Sequence, residues 1–397
     1  MGRSQPSLGL APPPRRKDAR AKAARLTAHK TIPGLLVGNA RARKGVESSE
    51  LILDASAVDA GISSKGTESR KHRRDAREKV KIRVVEGDTL VVARALSQAS
   101  SGGIDDGKSS RLKSNVAVLN MASPLLPGGG FLNGATAQEE SLCNRTTLYP
   151  ALKDEFYRLP EVGAIWTEDV LVFRDHTGKD LGKGDRWWVD VISAAMLRFP
   201  DVEGIDNDKK YAGQKDRDTA SRQIKCLMDI LRAKGVEKCV LGAWGCGAYG
   251  NPVVEIARAF NKVILGDGRD SKVPDWASLK EIVFAIKEDK LASDFAKHFG
   301  NGLEVERQAH GGNQTSKESD DGDTAGLREL EDKIKELDLR IDQSKNPSLK
   351  TTLENIRVQL TSQLERKRSD NTPAGESDEA TSEDEDEDDG ISGTDSA

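Results

Sequence analysis

The triplet Gln138-Glu139-Glu140 places two carboxyl groups side by side, eight residues after three consecutive glycines, Gly128, Gly129 and Gly130. Adjacent residues on a helix point about 100° apart, so the two carboxylates cannot both face one bond squarely. One would then donate a proton while the other holds a substrate hydroxyl. Glycoside cleavage needs such a division, because a carboxylic acid must protonate the leaving oxygen, and a raised pKa keeps that acid protonated near neutrality. The competing reading is two solvated glutamates favoured by a helix dipole. A second glycine loop, Gly245-Cys246-Gly247-Ala248-Tyr249-Gly250-Asn251-Pro252, has the composition that brings backbone N–H groups close to an anion. Neither loop fits GxxxxGK[ST] or GxGxxG with an acid downstream, which disfavours ATPase and hydride-transfer chemistry.

Each loop follows an apolar run and precedes a helix-compatible stretch. Val116–Leu119 leads into the first loop and Lys238–Ala243 into the second. Further strands are expected at Val80–Val85, Asp169–Phe173, Val189–Ile192 and Leu279–Ile286. Helices are expected at Leu90–Ala99, after Pro150, at Thr219–Lys234, at Pro252–Asn261 and at Leu291–Phe299. Strands alternating with helices indicate a layered α/β domain with a ligand at the strand ends. The core is expected over residues 80–300, preceded by a disordered stretch (1–14) and a basic extension (15–79) in which Arg15–Lys30 is helical and Pro33 interrupts it. A linker (301–326) follows. Leu327, Leu330, Ile334, Leu337 and Ile341, then Leu349, Leu353, Ile356 and Leu360 after Pro347, predict an amphipathic helical pair over 327–368, a hairpin or a self-associating coiled coil.

The net charge of −4 hides opposed ends. Residues 1–80 carry 18 Lys/Arg against 8 Asp/Glu, whereas residues 370–397 carry 12 Asp/Glu and no Lys or Arg. Such blocks predict solvated arms able to meet charged partners, with 369–397 a disordered acidic tail. Lys71-His72-Arg73-Arg74 reads equally as a nuclear address or a solvated face. Cys143, Cys226, Cys239 and Cys246 form no CxxC pair, and no His completes a zinc spacing. With no apolar run of membrane length and no secretory core at the N-terminus, a nuclear or cytoplasmic protein, not secreted and not in a membrane, is expected. Trp187-Trp188 could stack on a base, although a core or edge position is the plainer reading.

Asn120-Met-Ala-Ser-Pro-Leu-Leu-Pro-Gly-Gly-Gly130 with Gln138-Glu139-Glu140 resembles the signature of poly(ADP-ribose) glycohydrolases. PGGGFLNGATAQEESLCNRTTLYPAL and Gly242-Ala-Trp-Gly-Cys-Gly-Ala-Tyr-Gly-Asn-Pro252 resemble their bacterial-type branch, which also occurs in fungi. The resemblance covers roughly residues 15–300. It implies a macrodomain, a three-layer mixed sheet between helices with ADP-ribose in a cleft at the strand ends, and a metal-independent hydrolase without cofactor. It also implies roles. Glu140 would protonate the departing ribose 2′ oxygen and then activate water. Glu139 would bind ribose hydroxyls, Asn120 would hold the distal ribose, and Gln138 would belong to the substrate-binding set. Gly128, Gly129 and Gly130 would present the scissile bond. Gly245, Cys246, Gly247 and Ala248 would cradle the diphosphate, with Cys246 a small neutral residue rather than a nucleophile. Tyr249, where the branch usually has Phe, would press on the distal ribose. Asp88 would contact adenine.

The expected partners are poly(ADP-ribose), ADP-ribose and poly(ADP-ribosyl)ated proteins, as in reversal of ADP-ribosylation during the DNA damage response. Two alternatives stand beside hydrolysis of the polymer from its ends. One is a mono-ADP-ribosyl or O-acetyl-ADP-ribose hydrolase, and the other a reader that binds ADP-ribose without cleaving it. The adjacent Glu139 and Glu140 argue against both.

Overall fold

The computed structural model describes residues 16–53, 80–99, 116–204, 209–266, 276 and 278–307, together with nine scattered helical positions between 334 and 365. The chain divides into two compact units, Met1–Ala309 and His310–Ala397. The basic cluster at 71–74, the acidic tail and most of the amphipathic pair lie outside the described residues. Described positions within the pair, among them Ile334, Arg357 and Leu360, are helical.

The first unit begins with α1 (Arg16–Leu26), which passes through a π turn (Thr27–Thr31) into α2 (Ile32–Val37) and then α3 (Ala40–Glu47). Pro33 does not break this run as expected. It sits in the first turn of α2, where a missing N–H costs least, and the π turn before it absorbs the change in register. The succeeding elements are β1 (Glu50–Ile52), β2 (Lys81–Glu86), α4 (Thr89–Ala99), β3 (Val116–Met121), α5 (Gln138–Arg145), β4 (Ala164–Val172) and β5 (Trp187–Ala194). A hairpin of β6 (Val202–Glu203) and β7 (Lys210–Tyr211) leads to α6 (Gln214–Ala233), β8 (Lys238–Leu241), α7 (Val253–Leu265), β9 (Glu281–Ile286), α8 (Asp289–Phe299) and β10 (Val305–Arg307). The helix expected after Pro150 is instead two short 3₁₀ turns, Tyr149–Ala151 and Asp154–Phe156.

Eight strands form one mixed sheet in the order β1-β4-β5-β3-β8-β9-β2-β10. β4 runs antiparallel to both of its neighbours, β1 and β5, and the run β5-β3-β8-β9-β2-β10 is parallel throughout. The sheet therefore reaches beyond the expected 80–300 core at both ends of the sequence, with β1 and β10 as its edges. Strand alternation divides the core in two. Ala117, Leu119, Cys239, Leu241, Ile282 and Phe284 pack with α6, α7 and α8 on one face. Val116, Val118, Val240 and Val283 pack with α1, α4 and α5 on the other.

Two details position the site. First, β3 continues to Met121 beside β5, but its pairing with β8 ends at Val118. A cleft opens there, at the carboxyl ends of the parallel strands. Second, α1 is not a free basic arm. It packs on the 3₁₀ turn Phe131–Asn133, Arg20 Nε donates to Gly134 O at 2.9 Å, and a Cβ on Gly134 would lie 2.3 Å from Lys17 O.

Candidate active site

The first turn of α5 sends three successive side chains in three directions. Gln138 reaches the β3 edge that β8 has left: Met121 N–H donates to its Oε1 at 2.9 Å, and its Nε2 donates to Leu119 O at 2.6 Å. Its amide is thereby committed to the strand. Glu139 is buried under β3, accepting from Ser123 N–H at 2.7 Å through Oε2 and from Asn120 Nδ2 at 3.4 Å through Oε1. Glu140 accepts from Gly130 N–H at 2.8 Å through Oε1, while its Oε2 is buried without a hydrogen-bond partner among the described residues. Such an atom is costly to leave unmatched in a folded chain.

Gly129 lies between the two carboxylates. Its φ is +56°, in the left-handed region, and a Cβ there would stand 2.9 Å from both Glu139 Oε2 and Glu140 Oε1. Gly128 also has positive φ, +68°, and a Cβ on Gly130 would collide with Ala135. The run of three glycines is thus what lets backbone pass beside two acids at van der Waals distance.

Burial pushes the Glu139 carboxyl up to about 8, and the neighbouring charge of Glu140 adds to the effect against the lowering by the Ser123 N–H bond. The raised value expected of the proton donor thus falls on Glu139. A site that excludes water and crowds two acids holds on to a proton at neutral pH.

Asn120 is fully buried, donating to Ser193 Oγ at 3.1 Å on the adjacent strand, where the two residues are register partners. Its Oδ1, like Glu140 Oε2, has no partner among the described residues.

The second glycine loop follows β8. Cys246 N–H donates to Ala243 O at 3.1 Å, so that amide is committed and does not belong to the expected cradle. The N–H groups of Gly247, Ala248 and Tyr249 donate to no described residue, and Gly247 and Ala248 are exposed. Gly245, at φ +77°, admits the Asn251 side chain, which a Cβ would meet at 2.5 Å. Buried Asn251 ties the loop down, donating to Leu197 O at 2.7 Å and Gly245 O at 3.1 Å and accepting from Tyr211 Oη at 2.7 Å. Burial pushes the Cys246 thiol up, away from the thiolate a nucleophile needs. Tyr249 reaches back to the first motif, with Oη 3.5 Å from Ala122 O and its ring edge-on to exposed Phe199.

Asp88 is placed otherwise than expected. Its Oδ1 accepts from Leu90 and Val91 N–H at the start of α4, and both its oxygens accept from Arg145 Nη1 at 2.8 Å. Both oxygens of the carboxylate are engaged within the protein. Trp187 and Trp188 open β5 as half-buried residues, Trp188 beneath the Arg41 guanidinium at 4.5 Å.

Ser123, Ser193 and Asn251 are the participants that sequence reasoning missed. Ser123 and Asn251 stand inside the quoted motifs, while Ser193 is found only through the β3–β5 register.

The fold is similar to that of solved structures. The poly(ADP-ribose) glycohydrolase of Thermomonospora curvata superposes with a TM-score of 0.52 at 23% identity, covering 71% of this chain and 100% of that one. The same enzyme bound to the inhibitor ADP-HPD superposes with a TM-score of 0.50 at 23% identity, over 72% of this chain and 99% of that one. No curated protein sequence matches the chain. The family model of the microbial-type PARG catalytic domain matches residues 41–175, which hold Asn120, the three glycines and both glutamates.

Proposed function

We propose that the protein hydrolyses the ribose–ribose O-glycosidic bonds of poly(ADP-ribose), releasing ADP-ribose from chain ends. The observation that carries this reading is Glu140, one carboxylate oxygen fixed by Gly130 N–H and the other buried and unmatched beside a second acid. Glu140 Oε2 gives a proton to the departing ribose 2′ oxygen as the bond to the distal ribose C1 breaks. The resulting carboxylate then takes a proton from the water that attacks C1. Glu139, with its raised pKa, keeps its own proton and donates a hydrogen bond to a ribose hydroxyl. Asn120 Oδ1 accepts from the distal ribose. The free amides of Gly247, Ala248 and Tyr249 take the diphosphate, and the Tyr249 ring closes over the ribose. Gln138 acts as a positioning residue through β3 rather than by touching substrate.

The test is Glu140→Gln. It should abolish release of ADP-ribose from poly(ADP-ribose) while free ADP-ribose still binds. Near-normal turnover would remove Glu140 from the chemistry. Parallel incubation with mono-ADP-ribosylated protein separates this activity from that of a mono-ADP-ribosyl hydrolase, and binding without release from either substrate would mark a reader.

A further inference from the structure

A cavity of about 550 Å³ lies on the α4/α5 face of the sheet, away from the two carboxylates. Its wall joins Leu90 and Arg94 of α4, Arg145 at the end of α5, Arg174 and His176 after β4, and Trp187 at the start of β5. Trp187 lies at the amino end of β5, whereas Leu90 and Val91 follow the carboxyl end of β2, so the cavity runs along α4 on the outer side of the sheet. The carboxylates sit by the carboxyl ends of the parallel strands. α5 connects the two places, with Glu139 and Glu140 in its first turn and Arg145 in its last, about 10 Å along the axis.

The chemistry of this wall is specific. Arg145 is 94% buried, at 6% exposure, yet only its Nη1 is satisfied, by Asp88 and Ser141. Among the described residues its Nε is buried without a partner and its Nη2 donates to none. Arg174 spends Nε on Asp180 and Nη1 on Thr27 and Asn144, leaving Nη2. Arg94, half-exposed, makes no hydrogen bond or ion pair through its guanidinium among the described residues. The one carboxylate of the wall among the described residues, Asp175, is turned to its own loop, accepting from Thr177 and Lys179 N–H. Guanidinium forks with open donors bind phosphate oxygens. An indole beside aliphatic walls takes a flat base. The volume is that of a site for a small organic ligand.

We propose that this cavity is a second binding site, for an adenine nucleotide diphosphate unit, separate from the catalytic cleft. The choice of adenine rests on the function proposed above. The unit can be free ADP-ribose, a product acting back on the enzyme, or an internal unit of the polymer held away from the end being cut.

The full-length Glu140→Gln chain, titrated calorimetrically with ADP-ribose, should show two sites. Adding Arg94→Glu should remove one, weakening it at least tenfold, and Arg94→Lys should keep both. Binding unaltered by Arg94→Glu overturns the proposal, as does loss of all binding, which marks collapse of the fold rather than a site. With Glu140 intact, Arg94→Glu should raise KM for long polymer about fivefold and leave short oligomers unchanged if the site takes an internal unit. If it takes free product, inhibition by ADP-ribose changes instead. No change in either overturns the proposal. Should the intact chain release no ADP-ribose, the catalytic reading fails, and the binding titration still reports on the cavity by itself.

Discussion

Gly129→Ala tests the geometry of the two acids most sharply. The added methyl meets two penalties. At φ +56° an L-residue costs roughly 1–2 kcal/mol relative to glycine. The Cβ would also stand 2.9 Å from Glu139 Oε2 and from Glu140 Oε1, closer than real Cβ atoms approach. Either both carboxylates move or the loop does, by several tenths of an ångström. Misplacement on the order of 1 Å can cost about 100-fold in rate, which is ~2.7 kcal/mol of barrier. Gly235, after α6, makes a matched control, since its φ is +68° and nothing lies within 4 Å of its Cβ position. Both alanine variants should lose about 2–6 °C in thermal midpoint from the backbone term. Only Gly129→Ala should lose kcat, by roughly 100-fold, measured as ADP-ribose released from saturating polymer. A Gly129→Ala enzyme within twofold of the parent, or a Gly235→Ala enzyme equally impaired, would refute the claim that the glycine run exists to fit backbone between two acids.

Other consequences are open to measurement. Glu139 is raised in the folded state, so the folded chain binds a proton that the unfolded chain has released. Stability should therefore fall as pH rises from about 4.5 to about 8 and level off above that. Glu139→Gln should flatten this slope in thermal melts across the same window. Asn251→Ala removes three buried hydrogen bonds that fasten the second loop to Leu197, Gly245 and Tyr211. It should destabilise the chain by about 2–3 kcal/mol, and weaken ADP-ribose binding in titration. Deleting residues 311–397 should leave kcat within twofold; a large fall would tie the second unit to catalysis.

That the Glu139 and Glu140 side chains point apart was legible before any fold, because helical geometry alone turns adjacent side chains apart. What each would touch was not. Gln138, Glu139 and Glu140 find partners on β3 and in the glycine run, and Ser193 enters from another strand through register. The long apolar strands announced themselves. β1, β6, β7 and β10, two or three residues each, did not, since so short a strand is made by its neighbour rather than by its own composition. Asp88 shows the same limit at a single residue. A Gly-Asp-Thr match suggested a ligand contact, whereas its helix cap and Arg145, distant in sequence, claim both oxygens. The basic N-terminal helix had the composition of a solvated arm, and only its packing against Gly134 reveals that it braces the loop beside the acids.

Parting two strands of a parallel sheet to make room for a ligand ordinarily leaves peptide groups facing nothing. In this chain a carboxamide, the side-chain group most like a peptide bond, stands in for the absent neighbour and completes the ladder by one rung. The cleft can thus be wide without being wet along that edge. The requirement on Gln138 is then for a group that donates and accepts at once. Glutamate cannot donate when ionised and leucine can do neither, so a change at this position would disturb β3 itself, and with it Asn120, before any substrate arrived.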